Sequence, residues 1–251
     1  MKILSWNVNG LRSVYKKGLI KSLKSLKPDI VCFQEIKAQE SDIPHILLKY
    51  QGYFSYLNLA ERKGYSGIII LAKKAPLKII NKLGLKRFDQ EGRFLELVYS
   101  DFILINIYMP HGSRDKKNLK YKLKVYKYFL NHLKKIKNKK IIICGDFNIA
   151  HEDIDLARPK SNRHNIMFTS PERKQISDLI NLKFIDTFRN FNQEGGYYTW
   201  WPYFAKARQR NLGWRIDYIF ISKNLIKRLR GAYIYSKVLG SDHCPIGVGF
   251  K

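Results

Sequence analysis

The sequence predicts an α/β fold built as a layered sandwich, and three observations point to it. Short runs rich in β-branched and aromatic residues outnumber the helical segments. The two kinds of segment alternate irregularly along the chain, which favours a sandwich over a doubly wound parallel sheet. Several strand-like runs are apolar on both faces, as expected where a sheet is covered on both sides. The length of 251 residues fits one domain, residues 1–251.

The strand-like runs extend from the start of the chain almost to its end. Their composition suits the pleated, half-buried or buried surface of a sheet, and turn-forming or polar residues separate them. The runs are Lys2–Trp6, Asp29–Phe33, Gly67–Ala72, Phe94–Tyr99, Phe102–Tyr108, Lys140–Cys144, Ile216–Ile221 and Ala232–Val238.

Helices are predicted in three places. An apolar stripe at helical spacing marks the longest, inside the lysine-dense stretch Asp115–Lys140, so its lysines are expected on the outer face. A shorter helix is predicted over about Lys17–Lys27. A third follows Ser170, which can cap it, with Pro171 at the first helical position. The stripe of the long helix consists of Leu119, Leu123, Tyr126, Leu130, Leu133 and Ile136.

The charge balance of the chain is strongly basic. Lysine and arginine number 47 against 20 aspartates and glutamates, which gives a formal charge of +27 and a pI near 10.0. Such a field attracts polyanions at long range, and it favours nucleic acid over an anionic membrane surface as the partner. The aromatic content of 14% favours the same partner, because rings stack on bases and sugars.

The chain is expected to be cytoplasmic and not secreted. Its apolar runs fall short of the ~20 residues that a membrane-spanning helix needs. The first residues turn polar too early for a signal peptide. Cys32, Cys144 and Cys244 lie in or beside apolar segments, so we expect buried free thiols in a reducing compartment.

Polar residues follow most of the predicted strands. In the run Ser241–Ile246, Asp242 and His243 come after an apolar stretch and are stopped by a proline. One such group can bind a divalent metal while the other donates a hydrogen bond to a phosphate. Each cluster alone is also an ordinary turn, cap or core residue, but turn chemistry does not account for all of them together. The others are Asn7-Val8-Asn9-Gly10, Gln34-Glu35, Tyr108 to His111, Gly145-Asp146-Phe147-Asn148 and Asp217.

As sequence blocks, these clusters resemble the exonuclease III family, which consists of abasic-site (AP) endonucleases of the endonuclease/exonuclease/phosphatase superfamily. The blocks occur in the family's order and span nearly the whole chain. The resemblance implies a four-layered α/β sandwich of two packed mixed β-sheets flanked by helices (DNase I-like). The matching blocks are Trp6–Gly10, Gln34–Lys37, Gly145–Asn148, Asp155–Lys160, Gly213–Tyr218 and Ser241–Pro245.

The resemblance implies a Mg²⁺ site, for which Mn²⁺ would be a substitute. Glu35 is the expected ligand, since hard carboxylate oxygens suit this ion, and Asp242 is expected near it. Asn9 stands where many family members carry an aspartate at the metal, so the site has one negative charge fewer. His111 is a second departure, because many members have asparagine there. Its contact with phosphate would come from a histidine donor.

The resemblance also implies a catalytic set around the phosphate. Asp146 would activate or orient the attacking water. His243 would hydrogen-bond a non-bridging phosphate oxygen, and Asp217 would pair with its other ring nitrogen. The remaining members would hold Asp146 and the phosphate by hydrogen bonds, and they are Asn148, Tyr108 and Asn7.

The segment from Tyr198 to Arg215 concentrates aromatic rings and arginines. We interpret it as a pocket for an extrahelical, base-less sugar, because taking a nucleotide out of the stack costs least where no base is present. The alternative is a hydrophobic loop that plugs the edge of the sandwich. The expected walls are Trp200, Trp214 and Ile216. Arg114 and Phe204 match family positions that enter the grooves of DNA, so the resemblance implies that they hold a kinked duplex, with further DNA contacts from Lys37, His111, Arg208 and Asn211.

The resemblance therefore implies a Mg²⁺-dependent DNA repair nuclease, expected to be a monomer. It would cut double-stranded DNA 5′ to abasic sites, leaving a 3′-hydroxyl and a 5′-deoxyribose phosphate, and would also have 3′→5′ exonuclease or 3′-end-trimming activity. The alternatives are a less specific DNase of the same superfamily and a phosphatase or phosphodiesterase acting on inositide or lipid head groups. A DNA-binding protein on an inactive scaffold is disfavoured, because Glu35, Asp146 and His243 are all present.

Overall fold

The strands of the protein pair into two sheets. The computed structural model describes residues 1–50 and 52–251, and in that part of the chain each sheet has six strands. The first sheet has the order β11-β12-β1-β2-β4-β3 and the second the order β5-β6-β7-β8-β10-β9. The strands are β1 (Lys2–Asn7), β2 (Ile30–Gln34), β3 (Phe54–Asn58), β4 (Ile68–Ala72), β5 (Lys78–Ile80), β6 (Phe94–Val98), β7 (Ile103–Tyr108), β8 (Ile141–Asp146), β9 (Phe184–Asp186), β10 (Asp217–Ser222), β11 (Leu229–Ile234) and β12 (Ile246–Phe250).

Helices cover the outer faces of both sheets. The α-helices are α1 (Leu11–Lys16), α2 (Leu19–Leu26), α3 (His45–Leu48), α4 (Lys86–Gln90), α5 (Leu119–Ile136), α6 (Pro159–Asn162), α7 (Ser170–Asn181) and α8 (Thr187–Phe191). Leu19 and Leu23 of α2 pack on the first sheet, and Phe129 of α5 and Ile176 of α7 pack on the second. The layers run helix, sheet, sheet, helix, which confirms the predicted four-layered sandwich.

The central core lies between the two sheets. Because side chains alternate between the faces of a strand, neighbouring residues enter different cores. Ile3 of β1 contributes to the central core, whereas Leu4 contributes to the core beneath α2. In the second sheet, Leu104 belongs to the central core and Ile105 to the core beneath α5. Both sheets are therefore covered on both faces, as their apolar runs predict.

A pair of buried amides crosses this central core directly below the strand ends. Gln34 donates through Nε2 to Asn106 Oδ1 at 2.8 Å and to Ser5 Oγ at 2.9 Å. Asn106 donates in turn to the main-chain oxygens of Phe33 and Ile69, at 3.0 and 3.1 Å. Buried polar groups are costly unless they are paired. This network is formed only when the two sheets hold their native alignment.

The strand pairing brings the polar clusters to one edge of the sandwich. β1 and β2 are parallel, with Asn7 opposite Gln34, and β7 and β8 are parallel, with Tyr108 opposite Asp146. β10 runs antiparallel to β8, so Asp217 at its start lies opposite Asp146 at the end of β8. Residues separated by more than 200 positions in the chain can therefore meet at a single site.

Seven of the eight predicted strands are confirmed, as β1, β2, β4, β6, β7, β8 and β10. The eighth, predicted over Ala232–Val238, is wrong in its bounds, because β11 covers Leu229–Ile234. The chain turns after β11, where the N–H of Val238 is bonded to the Tyr235 carbonyl. Asp242 and His243 consequently lie in the loop that leads into β12 and not at the exit of the preceding strand.

Other elements of the structure are missing from the sequence prediction. β12 is not predicted, because Gly247 and Gly249 are poor strand formers in a short run. β3, β5 and β9 are five residues long or shorter and lie at or near sheet edges. The helices α1, α3, α4, α6 and α8 are at most six residues long, which is too short for a periodic apolar pattern to stand out.

The predicted helices are confirmed as α2, α5 and α7, with two corrections. Lys122 of α5 is fully buried and not on the outer face, because its ammonium bonds to Glu172 inside the protein. The cap of α7 is Thr169 and not Ser170, since Glu172 accepts from the Thr169 N–H and hydroxyl.

The cysteines are buried free thiols, as predicted. Across residues 1–50 and 52–251, every helix falls short of the length and apolarity needed to cross a membrane.

Gly145→Ala is expected to destabilise the strand that carries Asp146. Gly145 has φ 153°, and an added Cβ would lie 1.8 Å from the Ile107 carbonyl oxygen of the neighbouring strand. Paired backbone cannot move aside, so we expect the free energy of unfolding to fall by about 2 kcal/mol or more in urea titration. Gly249→Ala is the matched control, because no described atom lies within 4 Å of its added methyl. Equal losses for the two variants would contradict the prediction.

Candidate active site

Asn7 connects two carboxylates at the edge where β1, β2 and β8 end. Its Nδ2 donates to Glu35 Oε2 at 3.0 Å and to Asp146 Oδ2 at 2.8 Å. Its Oδ1 accepts the main-chain N–H of Asn9 at 2.9 Å, which fixes the orientation of the amide. Asn7 is fully buried, and these bonds satisfy it on both sides. One neutral side chain therefore sets the spacing between Glu35 and Asp146.

Asp146 is buried and held by Asn148. The main-chain N–H of Asn148 donates to Oδ1 at 2.8 Å, and its Nδ2 donates to Oδ2 at 3.1 Å. Asn148 has φ 52°, a left-handed conformation that asparagine tolerates. Burial and the charge of Asp217 raise the pKa of Asp146 to about 7, although His243 and the bonds from Asn7 and Asn148 act in the other direction. A carboxylate with this pKa is suited to accept a proton from water at neutral pH.

His243 forms a buried ion pair with Asp217. Its Nδ1 lies 2.9 Å from Asp217 Oδ2, and the Thr199 hydroxyl donates to the same oxygen at 2.6 Å. Burial lowers the pKa of His243, but the charge and hydrogen bond of Asp217 outweigh it and raise the pKa to about 10. The imidazole is therefore charged at neutral pH. Because Nδ1 is bonded to Asp217, Nε2 is the nitrogen that can donate to an external oxygen.

Tyr108 lies against a buried arginine. The guanidinium of Arg93 is 4.3 Å from the centroid of the Tyr108 ring, and it also donates to the Tyr108 carbonyl at 3.3 Å and to the Tyr65 hydroxyl at 3.0 Å. Glu91 neutralises this arginine. Burial, followed by the charge of Glu35, raises the pKa of Tyr108 well above its usual range. The phenol is therefore a hydrogen-bond donor at every working pH.

A positive charge lies between the oxygens of Glu35 and Asn9. The Nζ of Lys37 is 2.8 Å from Glu35 Oε1 and donates to Asn9 Oδ1. Glu35 and Asn9 both have left-handed backbone, with φ 55° and 40°, and their loops turn the two oxygens toward the same point. The ammonium thus lies where an anionic and a neutral oxygen converge. A carboxylate and an amide oxygen are donors that suit Mg²⁺, which keeps several of its waters.

A second group of potential ligands lies beside the first. One atom each from Asp146, Asp217 and His243 lies within 4.8 Å of the others. A protonated imidazole has no lone pair for a metal, and the pKa of His243 keeps it protonated at neutral pH. This group is therefore better described as an ion pair beside Asp146. Glu35 and Asn9 are the stronger candidates for holding an ion.

The three expected walls of the pocket meet next to His243. Trp200 and Trp214 are joined through their main chains and stand edge to face, with ring centroids 6.5 Å apart. The Trp200 ring is also 6.5 Å from the His243 ring. Ile216 is buried behind the tryptophans, and Phe168 supports Trp214 from the side. Both tryptophans remain partly exposed, so they offer a surface to a ligand as well as closing the core.

The loop of residues 201–213 extends from this pocket. Phe204 is 65% exposed at its tip, beside Tyr203, which is 73% exposed. Asn211 accepts from the Trp201 indole N–H within the loop and donates to the Gly196 carbonyl outside it. Arg208 holds the loop to the segment between β11 and β12 by donating to the carbonyl oxygens of Ser236, Val238 and Ser241.

His111 and Arg114 lie on the loop between β7 and α5. Arg114 is exposed. His111 is partly buried, and burial together with the Lys122 charge lowers its pKa to about 4, so its ring is neutral. Lys122 donates to the carbonyl oxygens of His111 at 3.2 Å and Asn148 at 2.6 Å, and it pairs with Glu172. This buried lysine ties the two site loops together.

Comparison with known proteins places the chain in a family. A profile of the endonuclease/exonuclease/phosphatase family matches residues 4–243. The chain belongs to this family. It is 39% identical over 249 residues to an exodeoxyribonuclease of Bacillus subtilis (strain 168), covering 98% of both chains. It is 39% identical over 253 residues to a DNA-(apurinic or apyrimidinic site) endonuclease of Dictyostelium discoideum, covering 99% of this chain and 70% of that one. The structure of an AP endonuclease from Archaeoglobus fulgidus matches with a TM-score of 0.91 at 29% identity, covering 100% of this chain and 99% of that one.

Membership of the endonuclease/exonuclease/phosphatase family confirms the resemblance read from the sequence blocks. The structural match confirms the DNase I-like sandwich. The exodeoxyribonuclease and AP endonuclease relatives are covered to two thirds or more of their length, so this family member is an enzyme of the exonuclease III and AP endonuclease type.

Some residues that build the site of this family member are not predicted by the sequence. Thr199 falls inside the aromatic segment, where nothing marks its hydroxyl as the partner of Asp217. Arg93 precedes a strand and carries no motif. Lys122 could have been recognised, because it interrupts the apolar face of α5 one residue before Leu123.

Asp217→Asn is expected to lower the pKa of His243. Burial lowers this pKa and the Asp217 charge raises it, with a net value of about 10. Without the Asp217 charge, burial is opposed only by the weaker effects of Asp242 and Asp146, so the pKa of the imidazole should fall toward or below the ordinary histidine value of ~6.5. The charged form exists only below the pKa, so the variant should be neutral at pH 8, where the wild type is charged. NMR titration of the His243 ring protons measures this. An unchanged titration would show that Asp217 does not control the proton.

Proposed function

We propose that this enzyme hydrolyses the phosphodiester bond 5′ to abasic sites in duplex DNA, in a Mg²⁺-dependent reaction that leaves a 3′-hydroxyl and a 5′-deoxyribose phosphate. The observation that carries the proposal is that the charged His243 lies beside the aromatic pocket. The centroids of the His243 and Trp200 rings are 6.5 Å apart. A phosphate bound at His243 would have its adjoining sugar against Trp200 and Trp214. The formal charge of +27 supports a polyanionic substrate.

The groups around Asp146 fit an in-line displacement at phosphorus. His243 would donate through Nε2 to a non-bridging oxygen, and the Tyr108 hydroxyl would donate to the same phosphate. Asp146 would accept a proton from the attacking water, for which a pKa of about 7 is suited. Asn148 holds both oxygens of this carboxylate, so the base would be oriented before the substrate arrives. The displaced group would be the 3′-oxygen of the preceding nucleotide.

Glu35 and Asn9 would hold Mg²⁺, and Mn²⁺ would be a substitute. The convergence of their oxygens on the Lys37 ammonium supports this assignment. When bound, the ion would neutralise phosphate charge and stabilise the leaving oxygen. Asn7 would keep Glu35 at a fixed distance from Asp146 through its two hydrogen bonds. The metal and the base would thus act on the same phosphate.

The pocket supports selection of abasic sites over intact nucleotides. Its walls are aromatic and aliphatic, and the nearby indole N–H of Trp200 is already bonded to Asp242. An extrahelical sugar without a base costs the least to bind in such a pocket. The same walls offer few hydrogen-bond partners to a polyhydroxylated inositol ring, which argues against an inositide substrate. A frayed 3′ end can present the same phosphodiester, so we also propose 3′→5′ exonuclease or 3′-end-trimming activity.

A labelled duplex with a single abasic analogue tests the proposal. The wild type should cut it once in Mg²⁺, leave the stated ends and stop in EDTA. Asp146→Asn and His243→Ala should each lose at least ~10²-fold in turnover while still binding the duplex. An intact duplex of the same sequence is the control. Cleavage of both duplexes at equal rates would favour a less specific DNase, and full activity of either variant would remove that residue from the mechanism.

Trp214→Ala should separate lesion recognition from phosphodiester chemistry. The ring packs edge to face against Trp200 and Phe168, so its loss should reduce abasic-site cleavage more than exonuclease action at a recessed 3′ end. Phe204→Ala is the comparison, because the exposed ring is proposed to stabilise kinked DNA and its loss should mainly speed product release. The measurement is the ratio of abasic-site cleavage to exonuclease activity in each variant and in the wild type. Equal losses in both activities for Trp214→Ala would mean that the tryptophan serves the fold alone.

A further inference from the structure

Hydrogen bonds connect one wall of the pocket with the proposed metal ligands. The indole Nε1–H of Trp200 donates to Asp242 Oδ2 at 3.0 Å. The other oxygen, Oδ1, accepts from Asn9 Nδ2 at 2.9 Å. The Oδ1 of Asn9 accepts from Lys37, whose Nζ is 2.8 Å from Glu35 Oε1. The indole is thus linked to the cation position through Asp242 and Asn9.

Asp242 decides which way the Asn9 amide faces. An ionised carboxylate only accepts hydrogen bonds, so the amide must turn its NH₂ group toward Asp242 and its oxygen away. The oxygen then faces the point where Lys37 and Glu35 meet. A flipped amide would lose the bond to Asp242 and set two donors, its own NH₂ and the Lys37 ammonium, against each other. The main-chain N–H of Asn9 is held by Asn7, so the backbone keeps the same position.

We propose that Trp200 and Asp242 are positioning residues for the divalent metal. The indole N–H fixes Asp242, and Asp242 presents the carbonyl oxygen of Asn9 to the ion. The inference rests on the proposed function, because it takes Glu35 and Asn9 as the metal site. Asp242 itself is already occupied by donors from Trp200, Asn9 and the Ser241 hydroxyl. It therefore acts on the metal through Asn9.

This arrangement accounts for asparagine at position 9. An aspartate there would bring a second carboxylate against Asp242 without a proton between them. Asparagine supplies both a donor for Asp242 and an acceptor for the cation. A carboxylate has two equivalent oxygens, so the orientation that Asp242 imposes matters for asparagine and not for aspartate. The proposal therefore predicts that the contribution of Trp200 depends on the residue at position 9.

Trp200→Phe tests the inference, because it keeps an aromatic ring at that position and removes the N–H donor, together with the part of the indole that phenylalanine lacks. We expect the affinity of the DNA-free protein for Mn²⁺ to fall about 10-fold, as is usual when a residue that orients a metal ligand is lost. Free Mn²⁺ is measured by electron paramagnetic resonance. Trp201→Phe is the matched control, since it removes an adjacent indole N–H that bonds to Asn211 and not to Asp242. Its Mn²⁺ affinity should stay within about 2-fold of the wild type, well inside the effect expected for a residue that orients a ligand.

A double-mutant cycle then locates the effect at Asn9. In the Asn9→Asp background, Trp200→Phe should change the Mn²⁺ affinity by less than about 2-fold, because no amide remains to be oriented. An unchanged affinity for Trp200→Phe in the wild-type background would overturn the inference. An equal loss in both backgrounds would also overturn it, since the indole would then act by another route.

The measurement is independent of the proposed substrate, because no DNA is present. A wild type that binds Mn²⁺ with the predicted dependence on Trp200 but fails to cut the abasic duplex would contradict the proposed function and support the inference. If the wild type cuts the abasic duplex but Trp200→Phe binds Mn²⁺ as tightly as the wild type does, the result would support the proposed function and overturn the inference.

Discussion

A buried excess of negative charge is the constraint on which the site depends. Asp146 and Asp217 are almost completely buried and lie opposite each other on neighbouring strands. Like charges repel strongly away from water, and here burial, followed by the repulsion from Asp217, raises the pKa of Asp146 to about 7. The charged imidazole of His243 compensates Asp217, and the neutral amide of Asn7 separates Asp146 from Glu35. The reactivity proposed for Asp146 and His243 follows from this single balance of charge.

The sheets must hold these groups in place against their repulsion. A slip of one residue in a strand would turn its side chains to the opposite face, so Asp146 would leave the site. The cross-sheet pair of Gln34 and Asn106 resists such a slip, because both amides would lose buried partners. The close approach of Gly145 to Ile107 has the same effect from the neighbouring strand. Fold stability and catalytic geometry are therefore determined by the same contacts.

The sequence predicts the parts of the site that are encoded locally. Asp146 and Glu35 follow apolar runs directly, so the end of a strand and its polar residues can be read together. The bounds of β11 could not be read, because the apolar character of the run continues past Tyr235 while the chain turns. Lys122 is visible in the sequence as an interruption of the apolar face of α5, but its partner is not, since Glu172 is 50 residues away and the pairing exists only after α5 and α7 have packed. Long-range contacts of polar residues leave no periodic signal in a single sequence.

Asp242 keeps one negative charge close to the proposed metal ligands although position 9 is a neutral asparagine. Burial raises the pKa of Asp242, but His243 and the hydrogen bonds from Asn9, Trp200 and Ser241 outweigh it, so the net pKa is lowered and the carboxylate stays ionised. Its charge would act on a bound ion from behind Asn9, the neutral ligand that we propose. An ion there would have Glu35 as its one direct carboxylate and would keep more of its water. Mg²⁺ tolerates this arrangement well, because it loses its hydration shell reluctantly.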